Sequence, residues 1–175
     1  MSNGNLDCLL HPPNEQNNQR RLNLIQRLNI AIDIACGFDY LHNHCEPPIA
    51  QCDLKPSNIL LDDDMVAHVG DFRLARFMLE ESNDQIFFSQ TMSLALKGSI
   101  GYILPEYGAG GRISTEWDVC SYKILLLEMI IGKRPIDETF CNSVDIHLVT
   151  EMALSQGVMN IVDPSLLYEE IAETG

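Results

Sequence analysis

Ile49-Ala50-Gln51-Cys52-Asp53-Leu54-Lys55-Pro56-Ser57-Asn58-Ile59-Leu60-Leu61-Asp62, followed by His68-Val69-Gly70-Asp71-Phe72-Arg73-Leu74-Ala75-Arg76, is the stretch on which the fold turns. It cannot be helical throughout. Pro47, Pro48 and Pro56 interrupt it, and its apolar runs, Ile59-Leu60-Leu61 and Met65 to Val69, have the length of strands. Two short strands around a turn at Asp62-Asp63-Asp64 are expected. These aspartates lack the D-x-D-x-D-G order of a calcium loop and read as a solvated turn.

On the N-terminal side, Leu24, Leu28, Ala31, Ala35 and Phe38 recur at a helical period between Leu22 and His42, which predicts one long amphipathic helix ending before Pro47. Met1 to Arg21, with Pro12-Pro13 and the polar run Asn14 to Asn18, reads as a short helical piece and a loop. On the C-terminal side, Arg73 to Arg112 shows little periodicity. Such long aperiodic segments inside a compact domain are often functional. Ser114 or Thr115 then caps a helix whose body, Val119 to Ile131, is apolar on nearly every side and therefore expected to be buried. Gly132 closes it, Pro135 forbids continuation, and a further helix is expected from about Val144 to Leu154.

Composition narrows the function. The 175 residues hold 46% hydrophobic side chains and no run of 18 apolar ones, so a packed core is expected and a transmembrane helix is not. Met1 to Leu10 has no basic signal-peptide region, and the expectation is a soluble, intracellular chain. With 25 acidic residues against 11 Lys and Arg, a net charge of -14, and no Lys or Arg after Arg134, most of the surface repels a phosphate backbone, so nucleic acid is excluded as a partner. The six cysteines show no C-x-x-C spacing and read as free thiols; His42, His44, Cys45 and Cys52 crowd together without zinc-ligand spacing and read as structural.

The opening stretch resembles the catalytic loop H-R-D-x-x-x-x-N and the metal-binding D-F-G of the eukaryotic protein kinases. Gly98-Ser99-Ile100-Gly101-Tyr102-Ile103-Leu104-Pro105-Glu106 is similar to the end of their activation segment, and Asp118, Ser121 and Tyr122 to the buried helix that follows. Leu41-His42-Asn43-His44-Cys45-Glu46, the run Cys52 to Asn58, and Gly132-Lys133-Arg134-Pro135 resemble the leucine-rich-repeat receptor-like serine/threonine kinases of plants. The resemblance runs from about Met1 to Leu167. It implies a protein-kinase-like C-terminal lobe, mainly α, with a small β-hairpin at the catalytic loop. Residues 1–175 would be a partial kinase domain from which the N-terminal β lobe, with its glycine loop and lysine, and the last helices are absent.

Phosphoryl transfer from a nucleotide needs a carboxylate near the attacking hydroxyl, a cation on the transferred group, and hard oxygen ligands for magnesium. By the resemblance, Asp53 is the first, Lys55 the second, and Asn58 and Asp71 the ligands of magnesium and, with Lys55, of ATP. Lys55 and Ser99 mark the serine/threonine branch. Asp118 is structural there, supporting the catalytic-loop backbone.

Several residues depart from the pattern. Gln51 and Cys52 replace the His and Arg of H-R-D; Cys52 implies that no arginine at that place reads an activation-loop phosphate. Arg73 replaces the glycine of D-F-G, and if that glycine's backbone geometry persists the substitution costs about 1–3 kcal/mol. Lys123 interrupts the helix expected to be buried, where an unpaired ammonium costs several kcal/mol. Trp117 and Cys120 depart as well. The functional expectation is a receptor-like serine/threonine protein kinase that is catalytically impaired, with a protein substrate or partner kinase; the alternative is a pseudokinase serving as a non-catalytic binding module. Metal-dependent hydrolysis by Asp53 and Asp71 lacks a further carboxylate or histidine cluster. An uncovered apolar face is expected to drive self-association.

Overall fold

The computed structural model describes residues 1–12, 21–78, 101–102, 113–137 and 157–167. Ser99, Pro105, Glu106, Cys141 and the helix expected at 144–154 lie outside the described residues.

Helix α1 (Leu6–Leu10) starts where the Asn5 side chain accepts the Cys8 amide at 3.1 Å, and its buried Leu6 and Leu10 share one face. Helix α2 (Leu24–Asp39) opens with a capping box: Asn23 Oδ1 accepts the Gln26 amide at 2.8 Å while Gln26 Oε1 accepts that of Asn23 at 3.0 Å. It continues as one wider π-helical turn, Tyr40–His44, so the expected helix over 22–42 is present.

Its phase differs from the expectation. Leu24 and Leu28 are exposed, at 41% and 45%, as is Ala35, and the buried stripe is Arg27, Ile30, Ala31, Ile34 and Phe38. Two apolar stripes compete on this helix, and periodicity alone does not choose between them. The choice rests on Arg27, which is 2% exposed because all its bonds are inward: Nε donates to Leu22 O at 3.0 Å, Nη1 to Met129 O at 2.5 Å and Nη2 to Asp163 Oδ2 at 2.6 Å.

The expected hairpin is strand β2 (Ile59–Leu61) paired antiparallel with β3 (Ala67–Val69), in the register Ile59↔Val69 and Leu61↔Ala67. Asp62 shapes the turn by accepting the amides of Asp64 and Val66 at 3.0 Å and meeting His68 Nε2 at 2.9 Å. That is the solvated turn read from the sequence. The other edge of β2 is covered by the N-terminal segment, where Leu61 N donates to Gly4 O at 3.0 Å. A second pair, β1 (Ile49–Ala50) with β4 (Arg76–Phe77), brackets residues 51–75 and was not foreseen.

Helix α3 (Thr115–Ile131) completes the frame. Ser114 occupies its N-cap with extended backbone but makes no cap bond; its hydroxyl bonds Glu116. The expectation that α3 is buried all round is corrected: Glu116, Val119 and Lys123 form an exposed stripe, spaced three and four residues apart, while Trp117, Asp118, Ile124, Leu125 and Met129 face inward. Lys123 therefore sits on the solvent side and is not a buried charge. The main core joins α1, α2, the hairpin and α3 through Leu6, Ile30, Ile34, Ile59, Leu61 and Leu125.

Candidate active site

Asp118 is the foundation of the site. It is 1% exposed at the start of α3, and its Oδ2 accepts the Gln51 amide at 2.8 Å while Oδ1 accepts the Cys52 amide at 2.8 Å; His42 Nε2 meets Oδ2 at 2.9 Å. Two successive amides turned to one carboxylate force the chain to bend, and Cys52 takes the left-handed φ of 65°. Burial, and then the Asp118 charge, push the Cys52 thiol up to about 12, so it stays protonated and is no nucleophile.

Gln51, wholly buried, works with both ends of its amide. Its Oε1 accepts the Asp53 amide at 2.9 Å, and its Nε2 donates to the carbonyls of Gly70 and Asp71, each at 3.1 Å. One side chain thus fastens Asp53 to the segment bearing Asp71. Gly70 closes the same joint: its amide donates to Asn58 O at 2.7 Å, and a Cβ there would lie 3.2 Å from that oxygen.

Of the four site residues named from the sequence, three form a tight group. Asp53 is 7% exposed. Lys55 Nζ lies 3.0 and 3.2 Å from its two carboxylate oxygens, and Asn58 Nδ2 donates to Asp53 O at 2.8 Å and to Oδ2 at 2.9 Å. The carboxylate is thereby oriented, charge-balanced and largely withdrawn from water, which suits it to accept a proton from a hydroxyl brought beside it.

Asp71, the fourth, stands next to this group, close enough for the Lys55 charge to act on it. It has another partner. Arg73 Nε donates to Asp71 Oδ1 at 2.7 Å and Nη2 to Oδ2 at 2.6 Å, with the Arg73 amide on Oδ1 at 3.3 Å. The hydrogen bonds from Arg73 hold the Asp71 carboxyl below the usual carboxylate range, against the opposing effect of its partial burial. The strain anticipated at position 73 does not arise there: the left-handed residue is Asp71, at φ 53° and ψ 73°, and Arg73 lies within the 3₁₀ turn Phe72–Leu74.

A magnesium ion at this place would draw on Asn58 and Asp71 as oxygen ligands. Both oxygens of Asp71 are bonded to a guanidinium, which puts a positive charge where the ion's own would be. As they stand, these residues do not fit the metal.

Sequence reasoning missed a second polar group at the far end of α3. Glu128, wholly buried, meets His11 Nε2 at 2.7 Å through Oε1 and accepts the Tyr102 hydroxyl at 2.5 Å through Oε2. Burial and the Glu128 charge push the Tyr102 hydroxyl well above its ordinary range. A lone acid inside the apolar run Ile124 to Ile131 was the available signal, since a buried carboxylate demands partners. Among the described residues, the His and Cys side chains at 42, 44, 45 and 52 do not converge; the group with metal-like spacing is Asp7, His11 and Glu128. The described cysteines are all free thiols.

A loop carboxylate with a lysine two residues on and an asparagine five on, anchored by an aspartate at the start of a long helix, is the arrangement of the protein kinase class. The sequence matches the protein kinase domain over residues 1–170, and the chain belongs to that family. Its relatives include a probable LRR receptor-like serine/threonine-protein kinase of Arabidopsis thaliana, 51% identical over 96% of this chain. Receptor kinase-like protein Xa21 of Oryza sativa subsp. japonica is 44% identical over 97%, and the LRR receptor-like serine/threonine-protein kinase EFR of Arabidopsis thaliana 44% over 95%. The chain spans 16–17% of the length of these relatives. Among the described residues, no helix is long and apolar enough to cross a membrane.

Proposed function

We propose that this chain is a large-lobe portion of a serine/threonine protein kinase of the receptor-like branch, that it carries the acceptor side of the transfer site, and that it is impaired in phosphoryl transfer. Asp53 is the base. It takes the proton of the protein hydroxyl as that oxygen bonds to the terminal phosphorus of ATP and the bond to the nucleoside diphosphate breaks. Lys55 offsets charge on the transferred group, and Asn58 keeps Asp53 oriented. The observation that carries this reading is the Asp53–Lys55–Asn58 group seated on Asp118.

Impairment is supported within the matched region, where Arg73 occupies both carboxylate oxygens of Asp71, the residue expected to hold the metal. A metal kept off Asp71 would remove charge stabilisation on which this reaction depends. The test is phosphate incorporation from ATP into a generic serine/threonine protein substrate. No incorporation above the Asp53→Asn control is expected, and robust incorporation that Asp53→Asn abolishes would refute impairment.

The second reading, a pseudokinase that binds a partner kinase or its substrate without chemistry, is favoured by the same Arg73–Asp71 pair. Under either reading the chain works in the cytoplasm on proteins. Exposed Ile25 and Ile32 on the outer side of α2, at 63% and 59%, support self-association. Light scattering over a wide concentration range is expected to show mass growing with concentration; an invariant monomer would remove the idea.

A further inference from the structure

We propose that Arg73 takes the place of the divalent cation: its guanidinium is a built-in counter-ion that closes Asp71 to metal and leaves a site receptive to a phosphate-bearing anion without a divalent ion. This rests on the reading of the site as a kinase site.

Three observations converge on it. The pair is bidentate, with Nε and Nη2 each on a different oxygen of Asp71, so each carboxylate oxygen already faces a guanidinium N–H. The contact is local: Asp71 sits left-handed at the start of the turn Phe72–Leu74, which folds its carboxylate back over the residue two positions on. The third observation is charge balance. The pairs Lys55–Asp53 and Arg73–Asp71 stand side by side, the Asp53 charge acting on Arg73 and the Lys55 charge on Asp71, so the site holds two carboxylates and two cations. Replace Arg73 by a neutral residue and the group becomes net negative, the condition under which carboxylates and an asparagine recruit a hard cation. With Arg73 present, an entering metal meets a like charge. The arginine is 84% exposed, and Asp71 leaves further guanidinium donors for an anion.

The test uses the full chain and two probes, Mn2+ alone followed by electron paramagnetic resonance, and inorganic tripolyphosphate titrated in EDTA. Removing a like charge from the metal's neighbourhood is expected to make Arg73→Gly bind Mn2+ about tenfold more tightly than the parent chain, and Asp71→Asn on that background should erase the gain. Tripolyphosphate in EDTA should bind the parent chain about threefold or more tightly than Arg73→Gly, since one phosphate-binding cation has been lost. Equal Mn2+ affinities, or a gain that survives Asp71→Asn, overturn the closure to metal; tripolyphosphate binding that is equal in the two or absent from both overturns the anion site. If circular dichroism shows Arg73→Gly unfolded, Arg73→Gln carries the same expectations and the same refutations. Failure here is separable from failure of the kinase reading: Asp53-dependent phosphate incorporation removes the impairment, whereas equal Mn2+ affinities with no incorporation remove only the role of Arg73.

Discussion

The two ends of α3 solve the same problem, a buried carboxylate, with different partners. At the first turn, Asp118 is satisfied chiefly by backbone amides of the loop that carries Asp53. At the last turn, Glu128 is satisfied by the side chains of His11 and Tyr102, and Asp163, packed against that end, by Arg27 together with the Ser165 amide. Backbone partners cannot be exchanged by substitution and can be met only by one path of the chain, so the first end sets the shape of the site. Side-chain partners tie distant elements together, so the second end holds α1, α2 and the segment at 163 onto α3. Position and cohesion are thus divided along one helix.

The largest expected effect breaks the first end. Asp118→Ala strands the buried amides of Gln51 and Cys52 and removes the partner of His42, and should lower unfolding stability by about 3–5 kcal/mol. Urea denaturation measures it, and a loss below about 1 kcal/mol would mean the loop holds its bend without the anchor.

The next breaks the second end. Gly132 ends α3 at φ 72°, its amide on Glu128 O at 2.8 Å, and a Cβ there would lie 2.6 Å from Asp163 Oδ2, the oxygen bonded to Arg27. Gly132→Ala must therefore accept left-handed strain and displace a paired carboxylate, and should cost about 2–3 kcal/mol by the same denaturation. A neutral result would show that Asp163 moves aside freely.

Lys123, midway between the ends, sharpens the contrast because it belongs to neither. Since it faces solvent, Lys123→Gly should lower stability by about 1 kcal/mol through poor helix propensity, and Lys123→Ala should change it by no more than about 0.5 kcal/mol. A raised midpoint for Lys123→Gly would restore the view of a buried defect.

The smallest effect is on pH. Burial would raise the Asp163 carboxyl, but hydrogen bonds from Ser165 and Arg27 and the Arg27 charge outweigh it and hold it below its ordinary range. The sign follows: a depressed folded value adds stability that is present above the unfolded value of about 3.9 and lost as pH falls through the folded one. The acid limb of stability should accordingly be shallower in Asp163→Asn than in the parent chain. Equal slopes would indicate that Asp163 titrates alike in both states.

Much of the site was legible before the fold because its signals are local. Asp53, Lys55 and Asn58 lie within six residues, and a loop that short brings them together once its ends are held. The hairpin was legible for the same reason, since the turn and both strands fall within eleven residues. The Arg73–Asp71 pair was less legible although it is local too: the sequence shows the backbone freedom lost at position 73, but not where the guanidinium reaches.

What the amino-acid order determined alone is the two long helices, the β2–β3 hairpin and their edges. The Asn23–Gln26 box, the prolines around 47 and 56, and the glycine at 132 act through bonds and torsions a few residues long, and they act the same in any fold. Which face of each helix turns inward was decided only by tertiary structure. Leu24 and Leu28 lost to Ile30 and Ile34 because Arg27 could bury its charge against Asp163, 136 residues away in the chain. Lys123 lost its expected burial because Asp118 and Leu125 had partners on the other face. A stripe of apolar residues measures only the free energy of leaving water; the side to which it is buried depends on which distant groups are there to meet the polar residues that go in with it.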